Sequence, residues 1–173
     1  MDKLTLLRPA KDLEFQAVEF KNEFFNNGET EINGSELWDK TDNYDIWLEK
    51  VTKQIKKETA DPDWVVTDTF FTIREHDKKI IGIIDFRQEL NDFLKDFGHC
   101  GYSVRPTERK KGYASEMLKQ ILGIARKTGL KEFQLSCASN NVASLKTITK
   151  NGGVYQRSFE YNGKTANVFI IKL

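Results

Sequence analysis

The sequence predicts an α+β domain: a mixed central β-sheet flanked by helices, with elements in the order β-α-α-β-β-β-α-β-α-β-β. Three observations carry this. Two amphipathic helical stripes lie close together near the N-terminus, a run of strand-like segments follows, and strands and helices interleave only in the second half, which favours a mixed sheet over a doubly wound one. The chain has 173 residues, which suits one compact domain with a sizeable core and leaves little room for a second. Residues 1–173 are therefore taken as a single domain, with no repeat, linker or low-complexity stretch dividing them.

The elements follow in order. Leu4 to Leu7 is a short apolar run closed by Arg8-Pro9, a first strand. Asp12 is the expected N-cap of a helix whose stripe is Leu13, Ala17, Phe20 and Phe24, stopped by Asn26-Asn27-Gly28. Residues 29–40 read as an irregular loop. A second helix is expected from Thr41 or Asp42, with Tyr44, Trp47, Leu48, Val51 and Ile55 at helical spacing, and Asp61-Pro62-Asp63 breaks the chain. Trp64 to Ile73 is rich in Val, Thr and Phe, which suit a pleated surface. With Ile80 to Arg87 and a turn at Asp77-Lys78-Lys79 it makes a hairpin. After a connection over 89–97, Gly98 to Val104 is a third strand of this group, closed by Arg105-Pro106. From Tyr113 the helical period returns: Ala114, Met117, Leu118, Ile121, Leu122 and Ala125 form one face, and Arg126, Lys127 and Gly129 mark its end. Phe133, Leu135 and Cys137 alternate as a strand, a short helix follows from about Asn141, and the chain closes with a hairpin around Asn162-Gly163.

Composition excludes several functions. With 27 basic and 26 acidic side chains the net charge is +1, so there is no global field for nucleic acid or an anionic membrane. Cys100 and Cys137 form no CxxC pair and no metal-ligand spacing, so neither a disulfide scaffold nor a metal site is expected. A reducing cytoplasm is the expected location. The start Met1-Asp2-Lys3-Leu4 opens no signal-peptide core, and no apolar run approaches the ~20 residues that span a bilayer.

The segment Val104-Arg105-Pro106-Thr107-Glu108-Arg109-Lys110-Lys111-Gly112-Tyr113-Ala114 carries the chemistry. A strand ends, a basic loop with one glycine follows, and an amphipathic helix opens at once. Helix N-termini present free N–H donors and a positive dipole end, so this is an anion site in outline. Gly112 lets a phosphate approach the backbone, and Ala114 is small at the same corner. The spacing fits neither a Walker A loop nor a Rossmann fingerprint.

Arg109-x-x-Gly112-x-Ala114, after a strand ending Gly-Tyr-Ser-Val-Arg-Pro, resembles the acetyl-CoA signature of the GNAT superfamily, Arg/Gln-x-x-Gly-x-Gly/Ala. Asn141-Val142-Ala143-Ser144 after the next strand, and Gly152-Gly153 where that family has Gly-Phe, fall in the same register. The resemblance covers essentially the whole chain. It implies acetyl-CoA as co-substrate, no metal, and transfer of an acetyl group to an amine of a small molecule or peptide; a homodimer is also frequent in the family. It implies that the amides of Arg109, Lys110, Lys111, Gly112, Tyr113 and Ala114 hold the diphosphate, that backbone groups around Val104 pair with the pantetheine arm and polarise the thioester, and that Asn141 and Ser144 lie along that arm. Asn141 also suits an N-cap.

Many GNAT enzymes carry a Tyr seven residues after this Asn as acid for the leaving sulfur; here the position is Ile148. Tyr113, Tyr155 or water are substitutes, or the thiolate leaves unassisted. For the base, the candidates are Glu89 and His99. Asp85 is read as a partner of Arg87 or of a substrate ammonium, and Cys137 as a core residue. The N-terminal third, which covers the acceptor side in the family, offers Glu29, Glu31, Glu36, Trp38, Asp39, Asp42, Asp45 and Trp47, an acidic and aromatic set suited to a cationic amine. The alternative is an acyl-CoA-binding module with little turnover, which Ile148 favours.

Overall fold

A computed structural model describes residues 2–173; Met1, where the N-terminal reading begins, lies outside them. In chain order the elements are β1 (Leu4–Leu7), α1 (Glu14–Asn26), α2 (Tyr44–Lys53), β2 (Thr67–Arg74), β3 (Ile80–Arg87), a single helical turn α3 (Leu94–Phe97), β4 (Tyr102–Val104), α4 (Tyr113–Lys127), β5 (Glu132–Ala138), α5 (Val142–Lys150), β6 (Val154–Tyr161) and β7 (Lys164–Lys172). The order matches the sequence reading, with α3 added.

The strands divide into two antiparallel sheets, β1-β2-β3-β4 and β5-β7-β6, in place of one mixed sheet. The two sheets are joined at one point. At His99 the two sheets touch: its N–H donates to the Gln134 carbonyl of β5 at 2.7 Å, and its carbonyl accepts from the Arg87 N–H of β3 at 2.8 Å. Gly98 makes the approach feasible, since a Cβ there would lie 2.4 Å from the Gln134 carbonyl oxygen. Beyond this bridge β4 pairs only with β3, and β5 only with β7. A wedge therefore opens between β4 and β5.

Hydrophobic burial fixes the helices on both faces. Met117, Leu118, Ile121, Leu122 and Ala125 of α4, with Ile148 of α5, pack on Ile84, Phe86, Phe133 and Leu135. On the opposite face Ala17, Phe20 and Phe24 of α1 and Trp47 and Val51 of α2 pack on Phe71, Ile73 and Ile83. Burying each large side chain contributes about 1.5–3 kcal/mol.

Some boundaries differ from the sequence reading. A 3-10 turn at Lys11–Leu13 precedes α1, so Asp12 does not cap it. The cap of α2 is Asn43, whose side chain accepts the Ile46 N–H at 3.1 Å. The connection over 29–40 is not a surface loop: Ile32, Ser35 and Trp38 are buried, and the Trp38 and Trp47 rings lie 5.1 Å apart. In the β6–β7 turn, Asn162 and Gly163 both have positive φ, as a two-residue primed hairpin requires.

Candidate active site

β4 hands over to α4 through a 3-10 turn at Pro106–Glu108 and the residues Arg109 to Gly112. Lys110 (φ 63°) and Gly112 (φ 84°) are left-handed, and conformers of alternating hand turn successive amides toward one side as an anion nest. Gly112 stands at the N-cap of α4 with no side-chain cap, and the Glu116 N–H closes on its carbonyl at 3.3 Å. Among the described residues, the N–H groups of Lys110, Lys111, Gly112, Tyr113, Ala114 and Ser115 have no protein acceptor. Six such donors cluster at the positive end of a 15-residue helix, an arrangement suited to an anion.

The basic side chains do less than their number implies. Arg109 is held by Glu29 through two bonds of 2.8 Å, donates to the Val104 carbonyl at 3.1 Å and covers the Phe24 ring. Lys111 donates to Glu108 at 2.8 Å. Burial alone would raise the Glu108 carboxyl, but hydrogen bonds from Lys111, Lys79 and Arg74 pull it down to about 2. Of the three, only Lys110 lacks a carboxylate partner among the described residues. Glu23 of α1 anchors the other end of the loop, accepting from Arg105 at 2.6 Å and from the Thr107 N–H and hydroxyl at 2.9 and 2.7 Å.

β4 forms one wall of the wedge. Its Tyr102 and Val104 face Ile84 and Gly82 of β3, while the neighbours Gly101 and Arg105 make the hydrogen bonds to that strand. Alternation along an antiparallel edge then turns the main-chain groups of Tyr102 and Val104 outward, into the wedge. Across it, the Asn141 side chain caps α5 by accepting the Ser144 N–H at 3.0 Å, leaving its own amide N–H groups without a partner among the described residues. The Ser144 hydroxyl meets that of Tyr102 at 2.7 Å. Ile148 is fully buried in the core. Tyr113 is occupied elsewhere, its hydroxyl bonded to Asp2 and Arg74. Tyr155 is exposed on β6 beside Ser158.

At the start of β4 lies a cavity of about 450 Å³, a size suited to a small ligand. Six carboxyl side chains line it, Glu31, Glu36, Asp39, Asp61, Asp63 and Asp85, against three cations, Lys40, Lys50 and Arg87. Asp85 is fully buried, accepting from the Gly101 N–H at 2.6 Å and from Arg87 at 2.8 Å. Glu36 lies against it. Burial, and then the charge of Asp85, push the Glu36 carboxyl up to about 7, against the opposing pull of Arg87 and Lys50.

The backbone that carries Glu36 is strained. Glu36 (φ 48°) and Leu37 (φ 65°) are both left-handed, at about 1 kcal/mol each or more. The flanking Ile32, Ser35 and Trp38 are buried and hold the segment, and Trp47 donates to the Ser35 carbonyl at 2.8 Å. Gly34 presses on Gly101 so closely that a Cβ would lie 2.2 Å from its carbonyl oxygen.

The two bases considered from sequence stand apart from this cavity. Glu89 is exposed beside Ile55, Lys57, Val66 and Gln88. His99 is buried, its Nδ1 accepts the Gln134 N–H at 2.9 Å, its ring packs on Phe133, and burial lowers its pKa. Glu36 appears in the sequence only as one of many acidic residues; no local pattern distinguishes it.

The sequence matches the acetyltransferase (GNAT) domain family over residues 5–154, and the chain belongs to that family. Its structure is similar to that of the microcin C7 self-immunity acetyltransferase MccE in complex with acetyl-CoA and AMP, with 18% identity over 100% of this chain and 94% of that one and a TM-score of 0.73. It is also similar to the spermidine/spermine N-acetyltransferase SpeG from Vibrio cholerae (18% identity, 98% and 93% covered, TM-score 0.67) and to RimL, a ribosomal L7/L12 α-N-protein acetyltransferase in complex with coenzyme A (15% identity, 98% and 94% covered, TM-score 0.67). At these identities the likeness is one of fold. No curated protein matches the sequence. Among the described residues no helix is long and apolar enough to cross a membrane, and no cluster of metal-ligating side chains occurs.

Proposed function

We propose that this chain transfers an acetyl group from acetyl-CoA to a primary amine of a small molecule or peptide, by direct attack in a ternary complex. One observation carries the reading: the free amides of residues 110–115, the outer edge of β4, which pairs with no other strand, and the carboxyl-lined cavity follow one another along a single strand. The donors fit the coenzyme. Main-chain N–H groups suit a diphosphate, and an open strand edge suits the amides of a pantetheine arm. Acetyl-CoA and coenzyme A in the MccE and RimL structures support this.

In this reading the acceptor enters the cavity as an ammonium, drawn by the excess of carboxylates. Glu36 takes the proton, since a carboxyl poised near 7 is matched to that task; it replaces Glu89 and His99 as the proposed base. Asp85, fixed by Arg87 and the Gly101 N–H, sets the proton affinity of Glu36. The outward N–H groups of Tyr102 and Val104 polarise the thioester carbonyl. The polyamine and protein acceptors named for SpeG and RimL are amines of the same broad class.

The test is thiol release from acetyl-CoA against polyamines, amino acids, aminoglycosides and N-terminal peptides. Gly112→Asp, which forces a side chain into a left-handed conformation and adds an anion, is expected to abolish coenzyme binding while circular dichroism stays native. Full activity in that variant would contradict the phosphate site. Coenzyme binding with no thiol release to any acceptor would favour a binding module, the reading that the buried Ile148 supports.

A further inference from the structure

The wedge between β4 and β5 holds a group of hydroxyls that the reaction outlined above does not use. Tyr102 extends from β4 to α5, where its hydroxyl lies 2.7 Å from the Ser144 hydroxyl and within hydrogen-bonding reach of Thr147. Cys137 of β5 lies beside the same cluster. Tyr102 faces Ile84 across the β3–β4 pair, on the face packed by α4 and α5. Position 148, fully buried in that same packing, has no proton to give.

The position of Tyr102 along the strand is informative. Gly101, one residue earlier, donates to Asp85 at the cavity, and the Val104 carbonyl, two residues later, accepts from Arg109 of the diphosphate loop. These limits are about 10 Å apart along an extended strand. A thioester reaching from the diphosphate loop to the cavity passes Tyr102.

We propose that Tyr102 is a catalytic residue, the proton donor to the coenzyme A thiolate, with Ser144 as its relay. The inference rests on the acetyl-transfer reading. The amine nitrogen forms its bond to the thioester carbonyl carbon, and the C–S bond breaks with its electron pair moving to sulfur. The phenol proton of Tyr102 passes to sulfur. The phenolate recovers a proton through Ser144 and water, drawn from the nitrogen of the collapsing intermediate. Of the hydroxyls in the wedge, the phenol is far more acidic than the aliphatic hydroxyls of Ser144 and Thr147, and it alone reaches across from β4.

The experiment compares wild type with Tyr102→Phe, which keeps the ring. Acetyl-CoA binding is followed by calorimetry, and thiol release is measured with hydroxylamine, a small nucleophile that is neutral at pH 7 and needs no base. The variant is expected to bind acetyl-CoA as wild type does and to lose kcat by about 10²-fold with KM for acetyl-CoA unchanged. The solvent deuterium isotope effect on kcat present in wild type should fall toward one, which a merely structural role would not produce. Ser144→Ala is expected to lose less. An unchanged kcat in Tyr102→Phe, or a loss carried by KM alone, overturns the assignment. A wild-type chain that binds acetyl-CoA and releases thiol to hydroxylamine or any amine no faster than the enzyme-free reaction overturns the transfer reading itself, and this inference with it.

Discussion

Glu36 illustrates how a residue acquires chemistry from its surroundings. Its identity is visible in the sequence; its proton affinity is not, because that depends on Asp85, forty-nine positions away, and on a left-handed backbone that composition does not announce. The same holds for Asp85, whose partner Arg87 is evident from the strand period but whose contact with the Gly101 N–H is not. Glu36→Gln is expected to lower kcat by about 10²–10³-fold. In wild type, kcat/KM for an ammonium acceptor should rise with loss of one proton near pH 7 and the variant should lack that limb, as a pH profile will check. The stability effect has the opposite sign. A carboxyl with a raised folded-state pKa stabilises the fold below its unfolded value and loses that contribution as pH climbs through about 7. Glu36→Gln should therefore be more stable than wild type at pH 8, on the order of 1–2 kcal/mol, and indistinguishable near pH 4.

At the scale of elements, the strand-loop-helix corner was legible because it is local: a strand end, one glycine and an amphipathic helix are contiguous in sequence. What holds the corner was not, because Glu23 and Glu29 reach it from α1 and its C-terminal turn, eighty or more positions away. Nothing in a surface helix marks which glutamates are exposed and which are clamps. Glu23→Ala leaves the buried Arg105 with only the Ile80 carbonyl among its bonded partners here. The expected result is a loss of about 1.5–3 kcal/mol in stability and a weakening of acetyl-CoA binding by about tenfold, measured by thermal melting and calorimetry. The boundary errors have a similar origin. Asp12, Thr41, Asp42 and Asn43 are all good caps in isolation; the 3-10 turn before α1 takes up Asp12, and α2 starts from Asn43.

For the whole molecule, element order followed from hydrophobic period alone, whereas the division into two sheets did not. Each strand of the pair β4 and β5 has ordinary strand composition, and the single point where they meet, at Gly98 and His99, exists only in the folded chain. The site lies where the sheets part, so the feature hardest to read from sequence is the one on which the proposed function depends.

The pairing of Arg109 with Glu29 and of Lys111 with Glu108 has a consequence for kinetics. With two of its three cations already neutralised and a net molecular charge of +1, the loop exerts little long-range pull on an incoming polyanion. Capture then depends on fixed amide dipoles acting at contact, which dissolved ions screen poorly. The association rate of acetyl-CoA in stopped flow is expected to change by less than about threefold between roughly 0.05 and 0.5 M salt; a steep decline would mean that the lysines, not the backbone, recruit the coenzyme.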